Sequence, residues 1–394
     1  MNVGLVDAFE LLWIALGAAL ILALAGRLFG RSPASWRGFP FLSATLFCAA
    51  FVYSFTARAT THGQPIAAFI ALVLLVAPIA LLYRFRRDAR GVGFVFAILF
   101  ALDLCERFGL TFGAGFDAGI AVARPLGYSY VLFRMYDALR ALNIPRPSSR
   151  AAHWHDWLLQ TTMFPTFAAG PIVLSGQFRT IVAPFTLRLV FYRRACVLLL
   201  LGIAKLYLIL PVTRFYFETG LVFPVQLTQA GLANVLHTGL YQYARVFLDF
   251  SGYTDLVVGA CAFLGLKIRH NFLRPYAAVT LREFWRRWHV TLAHFMRRHV
   301  YEPLGGRGDG PARHMRNLLL VFVLLGLWHG LTLPFLIWGA AHGLFMILEV
   351  YALTPLFDRL RGDAGTLRVK IITGAQYVLT QSFVTLSWIV FFWK

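Results

Sequence analysis

Two histidines carry the chemistry that this chain suggests. His329 lies inside a long apolar run, as Trp328-His329-Gly330. A histidine in a membrane-length apolar segment is costly, because no bulk water solvates it, and such residues face a bundle interior or a wet cavity. Some 40 residues earlier, Phe284-Trp285-Arg286-Arg287-Trp288-His289 places His289 in a stretch dense with tryptophan and arginine. An imidazole, with an unperturbed pKa of about 6.5, is the natural base for activating a hydroxyl at neutral pH. Acyl transfer is one reaction such a base would serve, with His329 taking the proton from an acceptor hydroxyl as it attacks a thioester carbonyl. The thiolate leaves readily, so a strong general acid is less needed. The developing oxyanion needs a donor, and His289, the Trp288 indole or a backbone N–H would each serve. The residues alone do not choose among these three. Asp249 and Asp255 flank Ser251-Gly252 in another apolar run. Carboxylates there need partners: a buried hydrogen-bond network is the plainer reading, and a part in the chemistry the sharper one.

The elements that hold these residues are membrane helices. Of the 394 residues, 59% are hydrophobic and only 14% charged, against roughly 45–50% apolar residues in soluble domains. Apolar runs near the ~20 residues needed to cross a bilayer recur along the chain, with spans expected at about 5–26, 39–56, 65–83, 93–113 and 119–139. The connections after the first, third and fifth of these are rich in arginine, so the positive-inside rule puts them in the cytoplasm and the N-terminus outside. The net charge of +20 is therefore a matter of topology and not of nucleic-acid binding, since the arginines sit in short segments between apolar runs. Cys48, Cys105, Cys196 and Cys261 show no paired spacing and read as small buried hydrophobes, with no metal site expected. The N-terminus, with Asp7 and Glu10 and no basic residue before its apolar stretch, reads as a first span and not a cleaved signal peptide.

From 153 to 195 the pattern breaks. Pro165, Gly170, Pro171 and Gly176 interrupt an apolar stretch, which predicts a re-entrant or half-buried segment, tolerated at membrane depth only under protein cover. Further spans are expected at about 195–212, within 238–266, near 317–330 and 332–352, and from about 369 to the end. Between 267 and 316, eleven Lys and Arg face three acids, Glu283, Glu302 and Asp309. The spacing predicts a helix over about 281–300, with Leu281, Trp285, Trp288, Leu292, Phe295 and His299 on one face. Its arginines suit lipid headgroups or an anionic acyl carrier, such as the phosphates of coenzyme A or a phosphopantetheine arm. The Gly305–Gly310 stretch is a weak phosphate-loop candidate, because no strand precedes it. The expected architecture is all-α and polytopic, with about 10–11 transmembrane helices plus the broken segment. It forms a single membrane-embedded domain over 1–394, with N-terminal spans at 1–119, a catalytic core at 120–345 and a C-terminal connection and last span at 346–394.

Asp249-Phe250-Ser251-Gly252-Tyr253-Thr254-Asp255-Leu256, Asn271-Phe272-Leu273-Arg274-Pro275-Tyr276, FWRRWHVTL from Phe284, YEPLGG from Tyr301 and LWHG from Leu327 together resemble the membrane-bound O-acyltransferase superfamily. Pro125-Leu126-Gly127-Tyr128-Ser129 and the Phe164–Pro171 stretch match its bacterial branch, which acylates exported polysaccharides. That branch includes alginate O-acetylation and teichoic-acid D-alanylation proteins. The resemblance covers about 120–345. It implies a catalytic histidine in the WHG motif, here His329, assisted by the one in FWRRWH, here His289, in a narrow passage through the bundle. It also suggests Trp285, Arg286, Trp288, Asn271, Trp328 and Asp249 as residues around the substrates. The implied co-substrate is an acyl thioester, acyl-CoA or acyl carrier protein, on the cytoplasmic side, with no bound cofactor. The implied partners are the lipid bilayer of a bacterial inner membrane, a polysaccharide acceptor and an extracytoplasmic accessory protein. Two departures stand out. Related proteins commonly carry Arg-Asp-Tyr where this chain has Arg297-Arg298-His299, which bears on the carrier that docks there. The chain also ends at Phe391-Phe392-Trp393-Lys394, a length closer to the D-alanylating type, whereas RRWH and YEPLGG lean toward acetyl transfer.

Other classes make different demands. A transporter or channel would account for broken helices and intramembrane His and Asp, but the chain shows no internal repeat. A non-catalytic scaffold of an export complex would tolerate replacement of His329.

Overall fold

Every regular element among the described residues is helical. The computed structural model describes residues 128–142, 160, 163, 166, 169–175, 189–218, 231–308, 310–362 and 365–393. The spans expected at about 5–26, 39–56, 65–83 and 93–113, and the loop charges that set their orientation, lie outside them. Among the described residues, three helices are long and apolar enough to cross a membrane: Tyr192–Phe217, Ala233–Phe263 and Leu333–Arg361. The described residues group into two compact units.

The first unit holds the described residues up to Leu201 together with 255–269. Its helix α1 (Tyr128–Leu142) carries Arg134 and Asp137, both fully buried. Buried charges persist only where hydrogen bonds replace water. The Arg134 guanidinium donates to Thr166 Oγ1 at 3.0 Å, and Asp137 accepts from Gln160 Nε2 at 2.9 Å and from the Ser175 N–H at 2.5 Å. Ile172, Val173 and Leu174 are buried without helical backbone, in keeping with the break expected in this stretch. Helix α2 (Leu189–Ile203) begins in this unit.

The second unit holds 202–254 and 270–394. Here α2 runs on through a π-helical turn, Ala204–Ile209, into α3 (Leu210–Glu218). Helix α4 (Leu232–Phe263) follows. Next come α5 (Leu281–Arg287), α6 (Val290–Met296) and a π turn at Arg297–Tyr301. Helices α7 (Pro311–His329) and α8 (Leu333–Leu348) form an antiparallel hairpin. It packs closely because Gly326 meets Phe335 and Gly339, and Gly339 meets Phe322, where any Cβ would collide with backbone. Small residues let membrane helices approach in this way. Helix α8 continues through a π turn into α9 (Thr354–Arg361), and α10 (Thr366–Phe391) lies along α8.

The single helix expected over 281–300 is two helices. They are joined at Trp288-His289, where His289 takes the left-handed backbone at φ 41°. The cause is tertiary. A continuing helix would send the Val290 and Thr291 N–H groups to the carbonyls four residues back. Instead Val290 N donates to the Asn271 carbonyl at 3.0 Å, and Thr291 N donates to Asn271 Oδ1 at 3.2 Å. The Arg287 carbonyl accepts from Leu273 N at 2.9 Å. The 271–273 strand of chain thus captures the bonds that would have carried the helix through.

Candidate active site

The α5–α6 segment goes in and comes back. At one end, the Leu281 and Arg282 N–H groups donate to Glu349, just past α8, the second at 3.1 Å. At the other, the Tyr301 ring lies 6.0 Å from His314, near the start of α7. Both contacts are at the same end of the α7–α8 hairpin. The turn between α5 and α6 lies at the opposite end, where the His289 ring stands 6.5 Å from Trp328. Each arm is seven residues, about 10 Å of helix against the ~30 Å core of a bilayer, so neither could cross.

Caps anchor the base of this hairpin. Thr280 Oγ1 accepts from Glu283 N at 3.0 Å, and the Glu283 carboxylate accepts from Val279 N at 2.7 Å, a reciprocal pairing close to a capping box. Glu283 also pairs with Arg287. Glu349, which the sequence reading did not single out, is buried and covers the two N–H groups at the start of α5. From α10, Thr380 donates to the Val279 carbonyl at 2.8 Å and Gln381 to that of Ala278 at 2.8 Å. The helix that carries Trp285 and ends at Trp288 is therefore held from three sides.

His329 ends α7 and is half-buried. Its ring neighbours are Trp328 at 4.6 Å, Phe391 at 4.8 Å, Trp338 at 5.6 Å and Phe335 at 5.9 Å. Gly330 belongs to this arrangement, since a Cβ there would come within 2.6 Å of the Phe335 ring. His289 is buried, edge-to-face on Phe250 at 4.8 Å. The Trp328 indole lies against both histidines and brings the two motifs into one site.

The other expected site residues divide. Trp285 is within the cluster, its indole N–H donating to His342 Nδ1 at 3.4 Å. Trp288 is buried, stacked on Phe284 at 5.5 Å and near Trp388 at 5.3 Å. Asn271 is fully buried, and its Oδ1 is engaged by Thr291, so its visible task is to hold the turn that carries His289. Arg286 is exposed. Asp249 is half-buried, under the charges of Arg214 and Arg245. Its neighbour Phe250 meets His289, and successive helix positions differ by about 100°, so Asp249 sits on another face of α4.

His342 has a complete set of hydrogen bonds that fixes its tautomer. Nδ1 accepts from Trp285, and Nε2–H donates to Ser387 Oγ at 3.1 Å, whose hydroxyl donates to the Val384 carbonyl at 2.7 Å. It is a structural histidine. Tyr243, Phe247 and Phe250 on α4 also face the site, against Trp288 and Phe272. Their spacing of four and three residues was a legible signal. Among the described residues, no three His, Cys, Asp or Glu side chains converge where a metal could sit.

The family model for MBOAT, membrane-bound O-acyltransferase, matches residues 126–362, more than half of the chain. The protein belongs to the membrane-bound O-acyltransferase family. Among curated relatives, this family member is 30% identical over 253 residues to the peptidoglycan O-acetyltransferase of Helicobacter pylori, covering 64% of this chain and 46% of the relative. It is 28% identical over 272 residues to the probable alginate O-acetylase of Pseudomonas aeruginosa, covering 68% and 48%. It is 32% identical over 123 residues to the teichoic acid D-alanyltransferase of Bacillus subtilis, covering 29% and 31%. The chain spans about half the length of the first two relatives. The matched region includes both histidine motifs and the Asn271 clamp.

Proposed function

We propose that this protein is a bacterial inner-membrane O-acyltransferase that moves an acyl group from a cytoplasmic thioester to hydroxyls of an exported cell-envelope polysaccharide. The observation that carries this reading is the convergence of His329 and His289 on the two sides of Trp328, at the membrane-buried turn of a re-entrant hairpin. His329 is the general base for the acceptor hydroxyl. His289, buried, orients the reacting groups by hydrogen bonding. The base of the hairpin, with Arg282, Arg297 and Arg307 exposed, is the cytoplasmic side and receives the anionic carrier, acyl-CoA or a phosphopantetheine arm. The N-terminus is outside by the same charge rule, and an extracytoplasmic accessory protein completes delivery to the polymer.

Acetyl is the favoured acyl group. The relatives named for O-acetylation are 30% and 28% identical over 253 and 272 residues, whereas a teichoic acid D-alanyltransferase matched over a similar length, 288 residues, is 24% identical. D-alanyl transfer to a teichoic-acid-type polymer is the second reading, kept open by that last match.

The test compares exported polymer from cells carrying wild type, His329→Ala and His289→Ala, each shown to be inserted and folded. Ester-linked acyl groups are released with mild alkali and identified by mass spectrometry. The expected result is loss of the ester in His329→Ala at normal protein level, with a mass that names the acyl group. Ester at the wild-type level in that variant would remove His329 from the mechanism.

A further inference from the structure

The acyl-transfer step needs a donor for the oxyanion, and the rings around His329 contain an unused one. Among the buried polar atoms of this cluster that make no hydrogen bond among the described residues are three on residues with no other polar contact: Trp338 Nε1, Trp388 Nε1 and Tyr243 Oη. Trp285, one ring away, shows the contrast, because its N–H is paired with His342. Buried donors are normally satisfied, so an unpaired indole N–H calls for a ligand acceptor or a functional reason.

Of the three, Trp338 is the one beside the base. It is 2% exposed, and its ring stands perpendicular to His329, 89° apart with centroids at 5.6 Å. His342 at 4.6 Å, Phe391 at 5.4 Å and Trp285 at 6.1 Å hold it on other sides. Its neighbour Gly339 meets the Phe322 backbone of α7, where any Cβ would collide, so the two helices that carry Trp338 and His329 are locked together. Trp388 and Tyr243 instead face Trp288, at 5.3 and 6.0 Å.

We propose that the Trp338 indole N–H is the oxyanion donor, an assignment that rests on the acyl-transfer reading. His329 accepts the proton of the acceptor hydroxyl while the hydroxyl oxygen bonds to the thioester carbonyl carbon. The carbonyl π pair moves onto oxygen, and the Trp338 N–H donates to that oxyanion. When the C=O re-forms, the C–S bond breaks and the thiolate takes the proton from the His329 imidazolium, leaving ester and thiol. A donor without a partner among the described residues has no bond to them to break when the charge develops, and in a water-excluded site its effect is large.

The experiment uses the full chain in native membranes, with acetyl-coenzyme A as donor and the host's deacylated polysaccharide as acceptor. Wild type, Trp338→Phe and Trp388→Phe are compared at matched amounts of folded protein. Phenylalanine keeps one aromatic ring and removes the donor together with part of the ring volume, a loss that Trp388→Phe shares. The expected result for Trp338→Phe is a fall in kcat of about 100-fold, with KM for the thioester little changed and Trp388→Phe near wild type. A Trp338→Phe variant of wild-type kcat overturns the assignment and leaves the N–H as a weak contact to a neighbouring ring face. Equal losses in both variants also overturn it, since disturbed ring packing then explains the effect. An inactive wild type overturns acetyl transfer from acetyl-coenzyme A, the reading on which the assignment is tested, whereas an active wild type with active Trp338→Phe overturns this assignment alone.

Discussion

The two ends of the re-entrant hairpin are built on opposite principles. At the base, polar groups are matched one for one: Thr280, Glu283 and Glu349 take the free N–H groups at the start of α5, and α10 donates to the carbonyls just before it. At the turn, rings surround the histidines, His289 holds a left-handed backbone, and two indole N–H groups and a tyrosine hydroxyl have no partner among the described residues. Rigidity at the base lets the turn keep a strained, partly unsatisfied arrangement. Such strain gathers where ligands bind or chemistry occurs. The same residue type makes the point within one cluster, since His342 is fully hydrogen-bonded in a fixed tautomer while His329 stands half-exposed at a helix end.

If the base is structural and the turn chemical, substitutions at each end should separate in their effects. The largest loss of stability is expected for Glu349→Ala, which leaves the Leu281 and Arg282 N–H groups without their acceptor. Each buried unsatisfied group costs about 1–3 kcal/mol, so the detergent-solubilised protein should melt well below wild type, and Glu349→Gln should recover part of the difference. A melting temperature equal to wild type would mean that the base is not what holds the hairpin. At the turn, His289→Ala should lower ester formation by roughly 100-fold with little change in melting. His289→Gln should retain more activity, because an amide keeps a hydrogen-bonding group. Equal losses in the two variants would point instead to a role for the imidazole as a base. Ser387→Ala should cost about 1 kcal/mol by releasing the His342 Nε2 bond and leave turnover per folded molecule unchanged. Thr280→Ala, a lost cap, is expected to cost about 1 kcal/mol, again in melting and not in turnover.

Much of the site could be read from the residues. An intramembrane histidine beside tryptophan and glycine is costly enough to need a reason, and FWRRWH followed by LWHG is a specific pair. In the structure the two motifs meet at Trp328. Asn271 and Asp249 were grouped with the substrates; in the structure Asn271 Oδ1 holds the turn, and Asp249 lies on another face of α4 from Phe250. The sequence reading chose no oxyanion donor, and it passed over Trp338 because one tryptophan among ten carries no local mark of an unpaired N–H.

Composition and periodicity were sufficient to determine a polytopic helical membrane protein with two histidines at its centre, because burial in lipid constrains every residue of a span in the same way. The break at Trp288-His289 was decided only by tertiary structure. The apolar spacing runs through it without interruption, and what ends α5 is a set of hydrogen bonds from Asn271 and Leu273, which no pattern within 281–300 records. The same holds for Glu349, whose partners are 68 and 67 residues away. Periodicity reports which face of a segment is buried; which donor finds which acceptor depends on chain segments that meet only in the folded protein.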